Sequence, residues 1–365
     1  MKKNILLLMA LVFFASCRHD TQDANFNEQN TQDVEKTQST NQQEIIPYAD
    51  SILDTTISDP PSKITLLAVG DIMLSRHVGS KIIESGDNRL PFTKTAFSTS
   101  DADIAFGNLE SPFYDKGPRV TEGMVFKAEP EFIEGLTYAG FDILSIANNH
   151  ALNQGVAGVS YTLDWLETHG IASVGGGKNS QIAHQGKIIE KNGINFGFLA
   201  YSYLGYNDSP TSTNPIIAEM NEPNLRKDVT ALREKSDIVI VSMHAGTEYV
   251  NFPTDQQTSF AHTAIDSGAD MVIGHHPHWP QIVEKYKDKW IIYSLGNFVF
   301  DQEWSQETKE GLMLKATFDN TELSHLELIP VIIENYSTPR LTTNAEAYTI
   351  LQKIQLESAV LYNKE

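Results

Sequence analysis

Three histidines lie within four successive positions, and they are the side chains of this sequence best suited to bind metal. The segment reads Gly274-His275-His276-Pro277-His278. Imidazole is the commonest metal-binding side chain, and an irregular turn lets imidazoles one residue apart converge on ions. Pro277 stiffens the turn between His276 and His278. We interpret this segment as a metal-binding loop and rank His276 and His278 above His275.

Four other short apolar segments each lead into polar side chains of the kinds that bind metal. These side chains are Asp71, Glu110, the neighbours Asn149 and His150, and His244. Two carboxylates, an amide oxygen and several imidazoles are typical ligands of divalent transition ions. A carboxylate suits a bridging position, because each of its oxygens can hold one ion. The sequence predicts a site for divalent transition metal ions, with two ions (Mn, Fe, Co or Zn) as the expected number.

The apolar segments themselves are typical of β-strands buried on both faces. They cover residues 64–69, 103–106, 141–146, 237–242 and 269–273, and helical stretches cover 129–139, 155–169, 225–235 and 254–267. Strands that alternate with helices indicate βαβ units and a largely parallel sheet. Ligands in such folds bind beyond the carboxyl ends of the strands, which is where all five polar segments occur.

The rest of the chain has the pattern of antiparallel strands. Asn192-Gly193 predicts a hairpin turn between strands at 187–190 and 194–203. Further strands are expected at 290–300, 311–318 and 323–333, and a terminal helix at 343–360. The fold class that we predict is α/β, with layered mixed β-sheets flanked by helices.

The N-terminus has the features of a bacterial lipoprotein signal peptide over residues 1–17. Two lysines, an apolar stretch and Ala15-Ser16 precede Cys17, as in a lipobox. We therefore expect an extracytoplasmic, lipid-anchored bacterial membrane lipoprotein that contacts the membrane through the lipid on Cys17. Cys17 is the single cysteine of the chain, which excludes an intramolecular disulfide, a thiolate metal site and a cysteine nucleophile.

Composition divides the rest of the chain and limits its partners. Residues 18–60 contain nine acidic and two basic side chains and few aromatics, so we interpret residues 18–62 as a disordered polar tether. The main domain is expected over 63–340, followed by the C-terminal helix within 341–365. The formal net charge of −20 argues against nucleic acid as a partner.

Six motifs together resemble the CapA family of poly-γ-glutamate capsule synthesis proteins, which are related to calcineurin-like metallophosphoesterases. The resemblance spans roughly residues 64–302. The motifs are Gly70–Arg76, Asn108–Glu110, Ala147–His150, His244–Tyr249, Gly274–His278 and Tyr293–Phe300. The resemblance implies a metallophosphoesterase-like fold.

The resemblance also implies a role for each candidate residue. The first ion would be bound by Asp71 and His278, the second by Asn149, His244 and His276, with Glu110 bridging. His150 would protonate the leaving group, as an imidazole can near neutral pH. Arg76 is a candidate for clamping an anionic substrate, although an ion pair with a nearby acid is an equal alternative.

The leading hypothesis is a CapA-like protein that acts in the biosynthesis of a capsule or surface polymer of the poly-γ-glutamate type. Its reaction would be metal-dependent hydrolysis or transfer, and its partners the anionic polymer or its precursor and the capsule synthesis machinery. One alternative is a phosphomonoesterase or phosphodiesterase. Met73 counts against it, since a histidine ligand usually stands there in phosphoesterases. The other alternative is a non-catalytic assembly or binding component.

Overall fold

The computed structural model describes residues 63–203 and 216–364. The signal peptide expected at 1–17 and the tether expected at 18–62 lie outside these residues. The first strand begins at Lys63, which is where the apolar pattern of the sequence begins.

Strands and helices alternate through most of the described chain. The strands are β1 (Lys63–Ile72), β2 (Ile104–Leu109), β3 (Ile143–Ser145), β4 (Ala172–Val174), β5 (Lys187–Lys191), β6 (Ile194–Ser202), β7 (Ile238–His244), β8 (Met271–His275), β9 (Val283–Tyr286), β10 (Lys289–Ile292), β11 (Asn297–Val299), β12 (Glu310–Asp319), β13 (Glu322–Glu334), β14 (Thr338–Leu341) and β15 (Val360–Asn363). The helices are α1 (Arg76–Ser85), α2 (Ala96–Thr99), α3 (Ile133–Tyr138), α4 (Gly155–Thr168), α5 (Ser180–Ala183), α6 (Glu222–Arg233), α7 (Asp255–Asp266) and α8 (Asn344–Lys353).

Within the described residues these strands form two mixed sheets. Sheet 1 has the order β14-β13-β12-β1-β2-β3-β4, with β11 also paired to β1 and β15 to β13. Sheet 2 has the order β5-β6-β7-β8-β10-β9. The strands that the sequence places before its polar segments are parallel to one another within each sheet: β1, β2 and β3 in sheet 1, and β7 and β8 in sheet 2. Layered mixed sheets with flanking helices confirm the predicted fold class.

Burial explains why the central strands have almost continuous apolar sequences. Every residue of β2, β7 and β8 is buried, so these strands have no solvent-facing side that would need polar residues. Gly274 in β8 fits where no other residue would. A Cβ atom there would lie 1.9 Å from the carbonyl oxygen of Tyr293, so glycine permits the close approach of the chain beside the histidine segment.

The single strand predicted at 290–300 is wrong. Residues 289–292 form β10 in sheet 2, whereas 297–299 form β11 in sheet 1. Gly296 has a φ of 69°, a left-handed conformation that turns the chain between the sheets. Apolar pattern alone does not reveal this transfer, since both strands contain buried apolar residues.

The terminal helix predicted at 343–360 is too long. Helix α8 begins with a capping box at Thr343 and ends at Lys353, and Gln355 has a φ of 62° that is incompatible with further helix. The chain then forms β15, which pairs with β13 at the edge of sheet 1. Residues 344–363 are therefore a short helix followed by a strand.

Over 63–203 and 216–364, none of the helices is both long and apolar enough to span a membrane.

Candidate metal centre

Two rows of residues at the ends of parallel strands build the centre. In sheet 2, Ser202, His244 and His275 pair in register across β6, β7 and β8; in sheet 1, Asp71 pairs with Asn108 of β2 and Asn297 of β11. Partners in register on neighbouring strands project from the same sheet face. The rows face each other, because Asn108 Nδ2 lies 3.2 Å from His244 Nδ1 and Asp71 Oδ1 lies 3.4 Å from His275 Nδ1.

The groups that the resemblance assigns to a second ion lie close together. His244 Nε2 is 2.9 Å from Asn149 Oδ1 and 4.0 Å from Glu110 Oε1. Asn108 Nδ2 donates to Asp71 Oδ1 at 2.8 Å and also faces His244 Nδ1. Because Nδ2 is a donor, His244 Nδ1 is the acceptor of this contact. The imidazole proton is therefore on His244 Nε2, which donates to Asn149 Oδ1. Metal binding requires an imidazole nitrogen without its proton, so His244 would bind a cation through Nε2 only as the tautomer that carries its proton on Nδ1.

His276 completes this half of the centre and is aligned by a tyrosine. Its ring lies 4.9 Å from that of His244, measured between centroids. His276 Nε2 is hydrogen-bonded to the hydroxyl of Tyr203 at 2.8 Å, whereas its buried Nδ1 has no hydrogen-bond partner among the described residues. Nδ1 is therefore the atom left to bind a cation.

The other half contains Asp71 and His278. His278 Nδ1 lies 3.6 Å from Asp71 Oδ2 and 2.9 Å from Asn297 Oδ1. Asn297 Nδ2 donates to the carbonyl of Thr308, which fixes Oδ1 as the acceptor and places the imidazole proton on His278 Nδ1. His278 Nε2 therefore carries the lone pair. The backbone also serves the centre, since the His276 N–H donates to Asp71 Oδ2 at 3.2 Å.

The backbone of the histidine loop is strained. His276 has a φ of 98° and His278 a φ of 59°, a region that costs a non-glycine residue about 1–3 kcal/mol. Such conformations persist where surrounding contacts hold them, and here both side chains contact the centre. The sequence interpretation of 274–278 as an irregular loop agrees with the geometry of 276–278, whereas Gly274 and His275 end strand β8.

The two buried carboxylates are in opposite electrostatic situations. Burial favours the neutral form of Asp71, but the facing imidazoles of His275, His278 and His244 outweigh burial and hold the Asp71 pKa well below its ordinary value. Burial raises the pKa of Glu110 well above its ordinary value, and the charge of Asp71 raises it further. The neighbours of Asp71 therefore stabilise its anionic form, whereas the neighbours of Glu110 do not.

The facing imidazoles are held in their neutral form. Burial lowers the pKa of His244 well below its ordinary value and lowers that of His276 to about 3. Burial also lowers the pKa of His150 to about 4, although its contact with Asn153 opposes the change. Neutral imidazole is the form that binds metal.

A divalent cation fits these groups. Glu110 is fully buried, and neither of its oxygens has a hydrogen-bond partner within the part of the chain that the structure describes. Leaving a buried carboxylate without partners is costly, and buried charges are normally paired or coordinate metal. Ligand atoms of Asp71, Glu110 and His244 all lie within 4.8 Å of one another. The donor set of carboxylate, amide and imidazole matches a divalent transition ion.

His150 lies beside the carboxylates and is oriented by two contacts. Its ring stacks on Phe126 at 3.9 Å between centroids, and its Nδ1 lies 2.9 Å from Asn153 Oδ1. The Phe126 N–H also donates to Asn153 Oδ1, so this atom accepts and His150 Nδ1 carries the proton. His150 Nε2, which lies 3.8 Å from Glu110 Oε1, is therefore a proton acceptor. The implied role of leaving-group acid stays a prediction, and it requires His150 to take up a proton first.

Arg76 is engaged in an ion pair, the second of the two alternatives from the sequence. Its guanidinium pairs with Asp301, donates to the carbonyl of Gly123 at 2.9 Å and lies over the Phe126 ring at 4.6 Å. Both members of the ion pair are buried. Arg76 thus joins the 117–126 segment to Asp301, and its charge is already balanced.

Four residues of the centre and its surroundings were missed or underrated by the sequence interpretation: Asn108, Tyr203, Asn297 and Asp301. Asn108 had a signal, because it precedes Glu110 by two residues at a strand end. Asn297 lies in the motif Tyr293–Phe300 but was given no role. Tyr203 and Asp301 lack such a signal. A tyrosine after an apolar strand is common, and an aspartate is usually a solvent-exposed residue.

Comparisons with known proteins agree on one family. The family model described as bacterial capsule synthesis protein PGA_cap matches residues 65–302. Capsule biosynthesis protein CapA of Bacillus anthracis is 29% identical over 311 residues, which cover 81% of this chain and 74% of that protein. PGA biosynthesis protein CapA of Bacillus subtilis (strain 168) is 29% identical over 303 residues, covering 81% and 79%.

A more distant likeness exists to the solved structure of NAD nucleotidase from Haemophilus influenzae. The TM-score is 0.44 and the sequence identity 10%, with coverage of 80% of this chain and 62% of that one.

Proposed function

The chain belongs to the PGA_cap family of bacterial capsule synthesis proteins, and we propose that it is a metal-dependent hydrolase or transferase in capsule biosynthesis. Family membership supports the role in capsule biosynthesis. The names of the relatives from two Bacillus species suggest an anionic polymer of the poly-γ-glutamate type, or its precursor, as substrate. The capsule synthesis machinery is the partner that this role implies.

One observation carries the catalytic part of the proposal. Glu110 is fully buried with both oxygens unpartnered in the described structure, beside Asp71 and three neutral imidazoles. A purely structural core would replace such a carboxyl group by an apolar residue at a gain in stability. The arrangement is instead one that a divalent cation makes favourable. A bound divalent ion would supply Lewis acidity at this point.

The surrounding residues would orient the cation and the reacting groups. Asn108 and Asn297 orient the rings of His244 and His278, and Asn297 leaves the lone pair of His278 on Nε2. His150 Nε2 is placed to accept a proton beside Glu110. Phe126 covers the His150 ring and limits its access to water. These contacts hold the donors before substrate arrives, which is how preorganised sites gain rate.

The test uses the full chain purified in detergent. We expect it to contain stoichiometric Mn, Fe, Co or Zn by elemental analysis and to shorten or transfer poly-γ-glutamate, as seen by size-exclusion chromatography of the polymer. His276→Ala should lose metal and turnover together. Stoichiometric metal without turnover of any supplied polymer would leave a binding or assembly role. A chain without transition metal after purification under metal-replete conditions would refute the catalytic proposal.

Phosphoesterase activity is measured in the same preparation with a chromogenic phosphate monoester and diester. Met73 is fully buried and its sulfur accepts the Ser75 N–H, so it offers no replacement for the histidine of phosphoesterases. We therefore expect turnover of these esters to be much slower than turnover of the polymer. Faster ester turnover would reverse the order of the two hypotheses.

Anchoring through Cys17 has a separate test, because residues 1–62 lie outside the described structure. We expect Cys17→Ser to move the protein from the membrane fraction to the soluble extracytoplasmic fraction without loss of its metal. Retention in the membrane fraction would contradict lipid anchoring and would leave the metal centre untouched.

A further inference from the structure

His275 has an environment that the roles described above do not explain. Its side chain is fully buried, and neither ring nitrogen has a hydrogen-bond partner among residues 63–203 and 216–364. A buried polar group left unsatisfied costs about 1–3 kcal/mol. The sequence interpretation ranked His275 below His276 and His278, as a neighbour of the metal ligands. In the structure it is the last residue of β8 and pairs with His244, so it faces the centre.

The nearest charged group to His275 is Asp71. His275 Nδ1 lies 3.4 Å from Oδ1 of that carboxylate, and the Asn108 side chain donates to the same oxygen at 2.8 Å. The other oxygen, Oδ2, faces His278 at 3.6 Å. The two oxygens of Asp71 therefore have different surroundings. Oδ1 contacts Asn108 of sheet 1 and His275 of sheet 2, whereas Oδ2 faces His278.

We propose that His275 is a positioning residue for the half of the centre that contains Asp71 and His278. His275 Nδ1 faces Oδ1 at 3.4 Å without a hydrogen bond, and this electrostatic contact directs Oδ2 to the cation that would bind with His278. This inference rests on the proposed metal centre. It also explains how that half tolerates Met73, since a centre with one imidazole fewer depends more strongly on the orientation of its carboxylate.

The experiment measures metal stoichiometry and affinity, with two substitutions at one position. His275→Phe keeps a ring but removes the donor, whereas His275→Asn places an amide N–H near the former Nδ1. We expect His275→Phe to weaken binding of one of the two ions about 10–100-fold, and His275→Asn to restore most of that loss. Co²⁺ titration followed by visible absorption separates the two binding steps. His262→Phe, at a histidine paired with Glu284 outside the centre, is the matched control.

The outcomes separate this inference from the proposed function. Unchanged Co²⁺ binding by His275→Phe, with two ions in the wild type, would overturn the positioning role and leave the metal centre intact. A wild type that binds no Co²⁺ would overturn both. Equal losses in His275→Phe and His275→Asn, with an unchanged urea midpoint, would show that the donor at Nδ1 is not the cause and would also overturn the inference. If His275→Phe does not fold, the comparison of His275→Asn with wild type decides, because a positioning role predicts near-normal binding.

Discussion

The two sheets supply different chemistry to one centre. Sheet 1 and the segments that follow its strands provide carboxylates and amides, namely Asp71, Asn108, Glu110, Asn149 and Asn297. Sheet 2 and its histidine loop provide the imidazoles, namely His244, His275, His276 and His278. Neither set alone resembles a complete transition-metal site. The difference teaches that the centre exists only when the two sheets are packed against each other.

The two sets also differ in how they respond to burial. Burial keeps the imidazoles neutral, which prepares them to bind metal. The same burial penalises the carboxylates, and only Asp71 has neighbours that offset the penalty. The free-energy cost of burying charge in the centre therefore falls mainly on the carboxylates of the sheet 1 side. The neutral imidazoles of the sheet 2 side add little to this cost. Substitutions on either side can test this asymmetry.

The largest effect is expected on the sheet 1 side, from Glu110→Gln. Metal affinity should fall by more than the about 10–100-fold typical of an outer-shell contact. The metal-depleted protein should gain stability at pH 7. The reason is that a raised carboxyl pKa costs stability once the pH exceeds the unfolded value, and the amide removes that cost. Calorimetric metal titration and thermal unfolding in chelator measure the two effects.

Glu248→Gln is the matched control for this substitution, since Glu248 is a partly exposed acid that adds to the raised pKa of Glu110. It should leave most of the metal affinity in place. A Glu110→Gln protein that is less stable than the wild type in chelator would contradict the assignment of the electrostatic cost to Glu110.

An intermediate effect is expected when the pH is lowered, from His276 on the sheet 2 side and from His150, which follows β3 of sheet 1. The folded pKa values of His276 and His150 are depressed to about 3 and about 4. Their contribution to stability is therefore complete above about pH 6.5 and is lost as the pH falls toward these values. Urea unfolding of the metal-depleted protein between pH 7 and 4 should show this loss. His276→Gln should flatten the profile, whereas His325→Gln on β13 should not. A profile that His276→Gln leaves as steep as before would assign the acid sensitivity to other groups.

The smallest effect is expected from Tyr203→Phe, which removes the hydroxyl that contacts His276 Nε2. Metal affinity should fall about tenfold, the lower end of the range for an outer-shell partner. Tyr201→Phe is the control, because Tyr201 lies in β6 and its hydroxyl bonds Asp228 and not a residue of the centre. Equal losses in both variants would mean that β6 acts through packing alone.

Much of this centre could be predicted from the sequence because its residues follow apolar strands. Asp71, Glu110, Asn149 and His244 stand directly at or after strand ends, and parallel strands bring such ends together. The predicted layers of mixed sheets and flanking helices follow from the same alternation. The structure brings all the predicted metal-binding residues into one buried region.

The sequence could not reveal two kinds of feature: the direction of individual side chains, and contacts between residues far apart in the chain. The direction of the His275 side chain depends on where β8 ends and on its pairing with β7, which the sequence does not show. Arg76 and Asp301 are 225 residues apart, so no local pattern links them. The positive φ of Gly296 decides that β10 and β11 belong to different sheets, and glycine alone does not specify a conformation.

The in-register rows have a consequence for how the protein obtains its metal. Asp71 and His276 are 205 residues apart in the chain and meet only when both sheets are complete. A nascent or translocating chain therefore has no binding site to load, because its ligands are still dispersed. Under the proposed function, the metal pool of the compartment in which folding finishes, and not the pool at the ribosome, would set which element the centre binds.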